Sequence, residues 1–127
     1  MRTERKKLLI VDDEPSIREF LAGALGHRGY ATSTAVDGVD GLEKAIQIEP
    51  DLILLDVMMP KMDGWEMLSQ LRKQEETCNI PVVMLTAKGE TEALLKSANQ
   101  RVVDYFIKPV NMDELLKFIR RYVELKG

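Results

Sequence analysis

The chain has a single cysteine, Cys78, which excludes an intrachain disulfide and any thiol-rich metal site. That thiol is expected to be semi-buried and reduced, in a reducing compartment. A single histidine, His27, falls near the end of the first predicted helix and reads as a capping or surface residue. No apolar run is long enough to cross a membrane. The first, residues 8–11, follows a charged start and is too short even for a signal peptide. A cytosolic, membrane-free location is therefore expected. Charge of either sign is nearly balanced, at -3 overall, so there is no basic footprint for nucleic acid and no acidic tail. Repeats, low-complexity tracts and linkers are lacking, and 127 residues suit one domain, 1–127, with a core over about 7–124.

What the chain does have is a set of short apolar runs, at 8–11, 52–55, 82–85 and 102–107. The first three are unbroken rather than alternating, which suits strands covered on both faces of a parallel sheet. Residues 30–36 are more polar and fit an edge strand. Helical patterns fill the gaps. Ile17, Phe20, Leu21, Ala24 and Leu25 form one stripe. Leu42, Ala45 and Ile46 form a second, Gly64, Leu68 and Leu71 a third, and Met112, Leu115, Leu116, Ile119 and Val123 the last. Asn111 and Glu114 have the spacing of an N-cap and its reciprocal partner. Residues 90–99 complete the set as a poorly amphipathic helix. Strand and helix thus alternate five times. That predicts an α/β, doubly wound sheet of five parallel strands in order 2-1-3-4-5, flanked by five helices. Its switch point lies between the first and third strands, and ligands bind beyond the carboxyl ends.

The residues at those ends are polar. Asp12 and Asp13 follow the first strand, Asp56 the third, Thr86 the fourth, and Lys108 with Pro109 the fifth. Each alone is an ordinary turn, strand-end or surface residue. Together they crowd three carboxylates, which repel and raise one another's pKa. A cation relieves that repulsion, and Mg²⁺ prefers carboxylate, carbonyl and water oxygens. A lysine facing the cluster offsets charge and can hold a phosphate oxygen.

The chain resembles the response regulator receiver domains of bacterial two-component signalling. The match rests on Leu9-Ile10-Val11-Asp12-Asp13-Glu14, on Asp51-Leu52-Ile53-Leu54-Leu55-Asp56-Val57-Met58-Met59-Pro60, and on Met62-Asp63-Gly64. It continues through Pro81-Val82-Val83-Met84-Leu85-Thr86-Ala87 and Asp104-Tyr105-Phe106-Ile107-Lys108-Pro109. It runs from about residue 7 to about residue 124. DD and KP pairs are common singly; their order and placement at strand ends make the signal specific.

The resemblance implies a flavodoxin-like fold with Asp56 as phosphoacceptor. Asp13, Asp56 and the Met58 carbonyl would ligate Mg²⁺ (or Mn²⁺), with Asp12 acting through a water. Lys108, the Thr86 hydroxyl and the backbone N–H groups of Met58 and Ala87 would contact the phosphate. Lys108–Pro109 matches the family's cis peptide. Thr86 and Tyr105 would form the switch, altering a face made of the fourth helix, fifth strand and fifth helix. Implied partners are a sensor histidine kinase or phosphotransfer protein, and a downstream target or fused output domain. A homodimer through the last two helices is open. The domain would catalyse only its own phosphorylation and dephosphorylation and turn over no external substrate. Because the sequence stops soon after the last helix, it reads either as a stand-alone receiver or as a piece of a longer protein.

Some positions depart from the family. Arg101-Val102 stands where Gly-Ala usually ends the fourth helix, and arginine resists the left-handed cap that glycine adopts. Asn99 is a candidate replacement. Met58 and Lys88 occupy positions that modulate access of water to the acyl phosphate, and neither orients water in an obvious way, so slow hydrolysis is expected. Met58, Met59 and Met62 read as loop packing, and Arg5, Lys6 and Lys7 as a solvated basic stretch. Trp65 lies off its helix's stripe and is expected to be partly exposed. Phe118 also lies off its stripe, belonging either to a partner face or to packing with a neighbour. Three competing readings remain. A metal-dependent phosphatase usually has a second Asp where Met58 stands. A nucleotide binder on the same layout needs a Gly/Ser/Thr-rich loop, where the chain has Asp-Asp-Glu-Pro. A degenerate, contact-only receiver would not fill all five functional positions.

Overall fold

The computed structural model describes residues 5–87 and 101–124. The unbroken apolar runs form β1 (Lys7–Val11), β3 (Leu52–Asp56) and β4 (Val82–Thr86), the interrupted one forms β5 (Asp104–Ile107), and the more polar segment forms β2 (Ala31–Ala35). All pair in parallel, in the expected order β2-β1-β3-β4-β5. The unbroken runs are explained by the period of two along a strand. Leu9, Val11, Ile53, Leu55, Val82 and Met84 enter one core with Ala45, Met67, Leu68 and Leu71. The alternate residues Leu8, Ile10, Leu52, Leu54, Val83 and Leu85 enter a second core with Leu21, Leu25, Leu115 and Ile119. Burial on both faces, at roughly 2 kcal/mol per enclosed leucine, favours this arrangement over a one-sided sheet.

The helices are α1 (Pro15–His27), α2 (Gly38–Ile48), α3 (Gly64–Arg72) and α4 (Met112–Ile119), the last passing into a π-helical turn at Arg120–Glu124. α2 and α3 cover the first core, and α1 and α4 the second. The described residues thus hold four α-helices, one fewer than the five expected. The segment 90–99, with Asn99 and the neighbouring Lys88, lies outside them. Among the described residues no helix is long and apolar enough to cross a membrane.

Three helices start on side-chain caps. Asp37 accepts from the N–H of Asp40 at 2.8 Å, Asp63 from Glu66 at 2.8 Å and Asn111 from Glu114 at 3.0 Å. α1 has no such cap: Glu14 holds the cap position without a side-chain bond, and Pro15 opens the helix. Two large stripe residues are exposed. Phe20 is 58% exposed and Ile46 37%, because α1 meets the sheet chiefly through Leu21 and Leu25, and α2 through Gly38, Gly41 and Ala45. The fifth strand begins at Asp104, two residues later than its apolar run, although Val103 still donates to the Val82 carbonyl at 2.9 Å. Phe118 packs within the domain, against Phe106 and Tyr122. Lys7 is tied down, its Nζ donating to the Ile48 carbonyl at 2.8 Å and its N–H to Asp51 at 2.7 Å.

Candidate phosphoacceptor and metal site

Parallel strands bring their carboxyl ends to one edge, and the polar residues meet there. Asp56 is the last residue of β3 and pairs with Leu85 of β4. Asp12 extends β1 by one rung, donating its N–H to the Ala35 carbonyl at 3.2 Å. Thr86 ends β4 and is buried. Lys108 follows β5, donates its own N–H to the Thr86 carbonyl at 2.8 Å, and precedes a cis bond to Pro109.

The Lys108 ammonium forks between two buried acids. Its Nζ donates to Asp56 Oδ1 at 2.8 Å and to Asp12 Oδ2 at 3.0 Å. Asp12 is fully enclosed: its Oδ1 accepts the Glu14 N–H at 2.9 Å, and its carbonyl accepts Arg18 Nη1 at 2.7 Å. Asp13 is exposed at the rim. Burial pushes the Asp56 carboxyl up, the Lys108 hydrogen bond pulls it back, and the charges of Asp12 and Asp13 push it up again, to about 6. Burial by itself would lower the Lys108 ammonium, but its bonds to Asp56 and Asp12 outweigh that and leave it raised.

Asp12, Asp13 and Asp56 each offer one carboxylate oxygen, all within 4.8 Å of one another. Three acids face one lysine, so the cluster carries excess negative charge. Asp56 Oδ2 and both Asp13 oxygens have no protein donor among the described residues. Hard oxygen donors with surplus charge fit Mg²⁺ or Mn²⁺ rather than a softer metal.

The remaining expected residues lie around this edge. Met58 follows the buried Val57 with its side chain 60% exposed, and Ala87 follows Thr86. Tyr105 pairs with Met84, is half-buried, and has its phenol pushed up by burial. Trp65 is likewise half-buried, and its ring centroid stands 6.3 Å from that of Tyr105. His27 is exposed at the far end of α1, and Cys78 is a half-buried free thiol. Two residues beside the site had no site role expected from the sequence, although Gly64 stood in a helix stripe and in a matching motif. Gly64 packs its Cα against the Asp56 carbonyl and donates its N–H to Val57 at 2.8 Å. The signal was present, a glycine just after a capping Asp. Arg18 gave no signal beyond a cation on a polar helix face.

A family model for the response regulator receiver domain matches residues 8–120. RpaA of Synechocystis, a DNA-binding dual master transcriptional regulator, is 40% identical over 114 residues, covering 90% of this chain and 47% of that protein. The response regulator ArlR of Staphylococcus aureus is 39% identical over 114 residues, covering 90% of this chain and 51% of that one. The chain therefore spans about half the length of either relative. Among solved structures, the chemotaxis protein CheY4 of Vibrio cholerae superposes with a TM-score of 0.83 at 35% identity, over 93% of this chain and 98% of that one. The receiver domain of the sensor histidine kinase PA1611 of Pseudomonas aeruginosa, described with magnesium coordinated in its active site cleft, gives 0.85 at 26% identity, over 95% and 99%. With the sheet order, the acidic edge and these matches in agreement, the chain belongs to the response regulator receiver domain family of two-component signalling.

Proposed function

We propose that residues 1–127 act as a single receiver domain in which Asp56 accepts a phosphoryl group from a phosphohistidine of a sensor kinase or phosphotransfer protein. The observation that carries this reading is the Asp56 carboxylate at the sheet edge, gripped through one oxygen by Lys108 at 2.8 Å and facing Asp12 and Asp13. An oxygen of Asp56 attacks phosphorus, the P–N bond breaks, and its electron pair returns to the partner's imidazole, which takes up a proton. Lys108 then exchanges a carboxylate oxygen for a phosphate oxygen without leaving Asp12. The Thr86 hydroxyl and the N–H groups of Met58 and Ala87 receive the other phosphate oxygens. Asp13, Asp56 and the Met58 carbonyl would hold Mg²⁺ (or Mn²⁺), with Asp12 reaching it through water; the ion would offset the charge on the transferring group.

Thr86 moving toward the phosphate makes room for Tyr105, so phosphate favours one arrangement of the β5 face over another. The output is recognition by a target or a fused output domain. The domain turns over no external substrate, and a cytoplasmic location suits this chemistry. RpaA is described as DNA-binding, but this chain covers less than half of it. A net charge of -3 gives no reason to place nucleic-acid contact on these residues.

Beryllofluoride with Mg²⁺, a phosphoryl mimic, tests the reading. It should quench or shift the emission of Trp65, the only tryptophan, and Asp56→Asn should abolish the response. An unresponsive parent protein, or an Asn variant that still responds, would sink the proposal.

A further inference from the structure

Arg18 makes no ion pair with Asp12, Asp13 or Asp56 among the described residues. It spends Nη1 on a main-chain oxygen, the carbonyl of Asp12, at 2.7 Å. That carbonyl belongs to the peptide group joining Asp12 to Asp13, so holding it fixes the plane from which the Asp13 side chain departs. The backbone N–H of the same residue donates to the Glu14 carbonyl at 3.0 Å. That second bond is the first turn of α1 and belongs to the backbone at any residue; what is particular to Arg18 is the hold of its side chain on the Asp12 carbonyl. The side-chain bond lies at the start of α1, which has no side-chain cap. Asp12 is secured by four hydrogen bonds, through its N–H, its carbonyl and both carboxylate oxygens. Asp13 is exposed, with no side-chain donor of its own among the described residues, and inherits its aim from the peptide before it.

We infer that Arg18 is a positioning residue for Asp13, setting the divalent-cation affinity of the acidic edge through the Asp12 carbonyl; this rests on the metal-binding part of the proposed function. The inference predicts an effect of unusual sign. Removing a positive charge near a cation site should by Coulomb's law tighten metal binding. Removing a group that aims a ligand should weaken it, by about tenfold for an outer hydrogen-bond partner.

The two effects separate in a thermal titration with Mg²⁺ alone, because a ligand that binds only the folded chain stabilises it by RT ln(1 + [L]/Kd), so the dependence of the midpoint on Mg²⁺ concentration reports Kd. Each variant is referred to its own metal-free midpoint. Arg18 is half-buried, and the metal-free midpoint of each variant reports any loss of stability separately from metal binding. Arg18→Gln should bind Mg²⁺ about tenfold more weakly than the parent, and Arg18→Lys, which keeps the charge and a donor, should recover most of the loss. A Gln variant binding Mg²⁺ as tightly as the parent, or more tightly, overturns the inference. If the parent itself shows no Mg²⁺ shift, the failure lies instead with the metal site.

Discussion

Lys108 and Asp12, 96 positions apart in the chain, meet at 3.0 Å, and the same ammonium reaches Asp56 at 2.8 Å. One cation therefore serves two acids buried at opposite sides of the switch point. The arrangement is unlike a surface ion pair, where solvent screens most of the gain. Asp12 is wholly enclosed, so loss of its partner strands a charge rather than exposing it to water.

Lys108→Met keeps an unbranched apolar stem, one atom shorter, and removes the charged donor at its end. In metal-free buffer it should lose about 3 kcal/mol of stability, the order found when one member of a buried pair is removed. Mg²⁺ should restore part of that loss, since the cation neutralises the same acids. Denaturant titrations with and without Mg²⁺ give both quantities, and a variant as stable as the parent would contradict the account.

Asp56 couples stability to pH. Its folded-state pKa of about 6 lies above the 3.8 of an unperturbed aspartate, so between these values the folded chain binds the proton that the unfolded chain has released. The contribution of this group is fully present below about pH 4 and is lost as pH rises through about 6. Asp56→Asn mimics the protonated form. In metal-free buffer it should be more stable than the parent at pH 7, with the difference vanishing near pH 4. Midpoints measured at several pH values test this, and an Asn variant less stable at pH 7 would count against it.

Gly64 has no room for a side chain. A Cβ there would collide with the Asp56 carbonyl oxygen and stand 2.9 Å from Val57 Cα. Both are backbone atoms that cannot swing aside. Gly64→Ala should cost about 2–3 kcal/mol and, by displacing the phosphoacceptor's own peptide, slow phosphorylation by a small-molecule donor. An Ala variant that folds and reacts like the parent would show that the loop yields more easily than its packing implies.

Met58 presents an exposed thioether beside the proposed phosphate. It offers an incoming water no strong acceptor, whereas asparagine would hydrogen-bond and orient one. The phosphoryl-aspartate of the parent should therefore outlive that of Met58→Asn severalfold, measured by decay of the phosphorylated mass after the donor is removed. A parent lifetime much shorter than the variant's would reject the assignment.

The sheet was legible because three of its strands must be apolar on both sides, a pattern that periodicity reads directly in Leu8, Leu9, Ile10 and Val11. The strand ends were legible for the same reason: Asp56 and Thr86 are where apolar runs stop, and in the structure they are the last paired residues of their strands. Helix faces were read less well. Phe20 fits the spacing of the α1 stripe, but Leu21 and Leu25 set the contact and leave it outside, a choice made by tertiary packing rather than by period. The convergence of Lys108 on Asp12 and Asp56 followed from strand order, and the order from alternation of elements. The Arg18 bond could not be anticipated, because it joins a side chain to a carbonyl, and every residue carries a carbonyl.

Strand order also distributes mechanical stiffness. Asp56 rides on the central strand, stitched to neighbours on either flank, whereas Lys108 leaves from a rim strand stitched on one flank only. Moving the acceptor means unzipping two ladders, and moving the lysine's strand means unzipping one. The carboxylate proposed to react thus sits on the firmer strand, and the lysine that faces it is carried by the softer one.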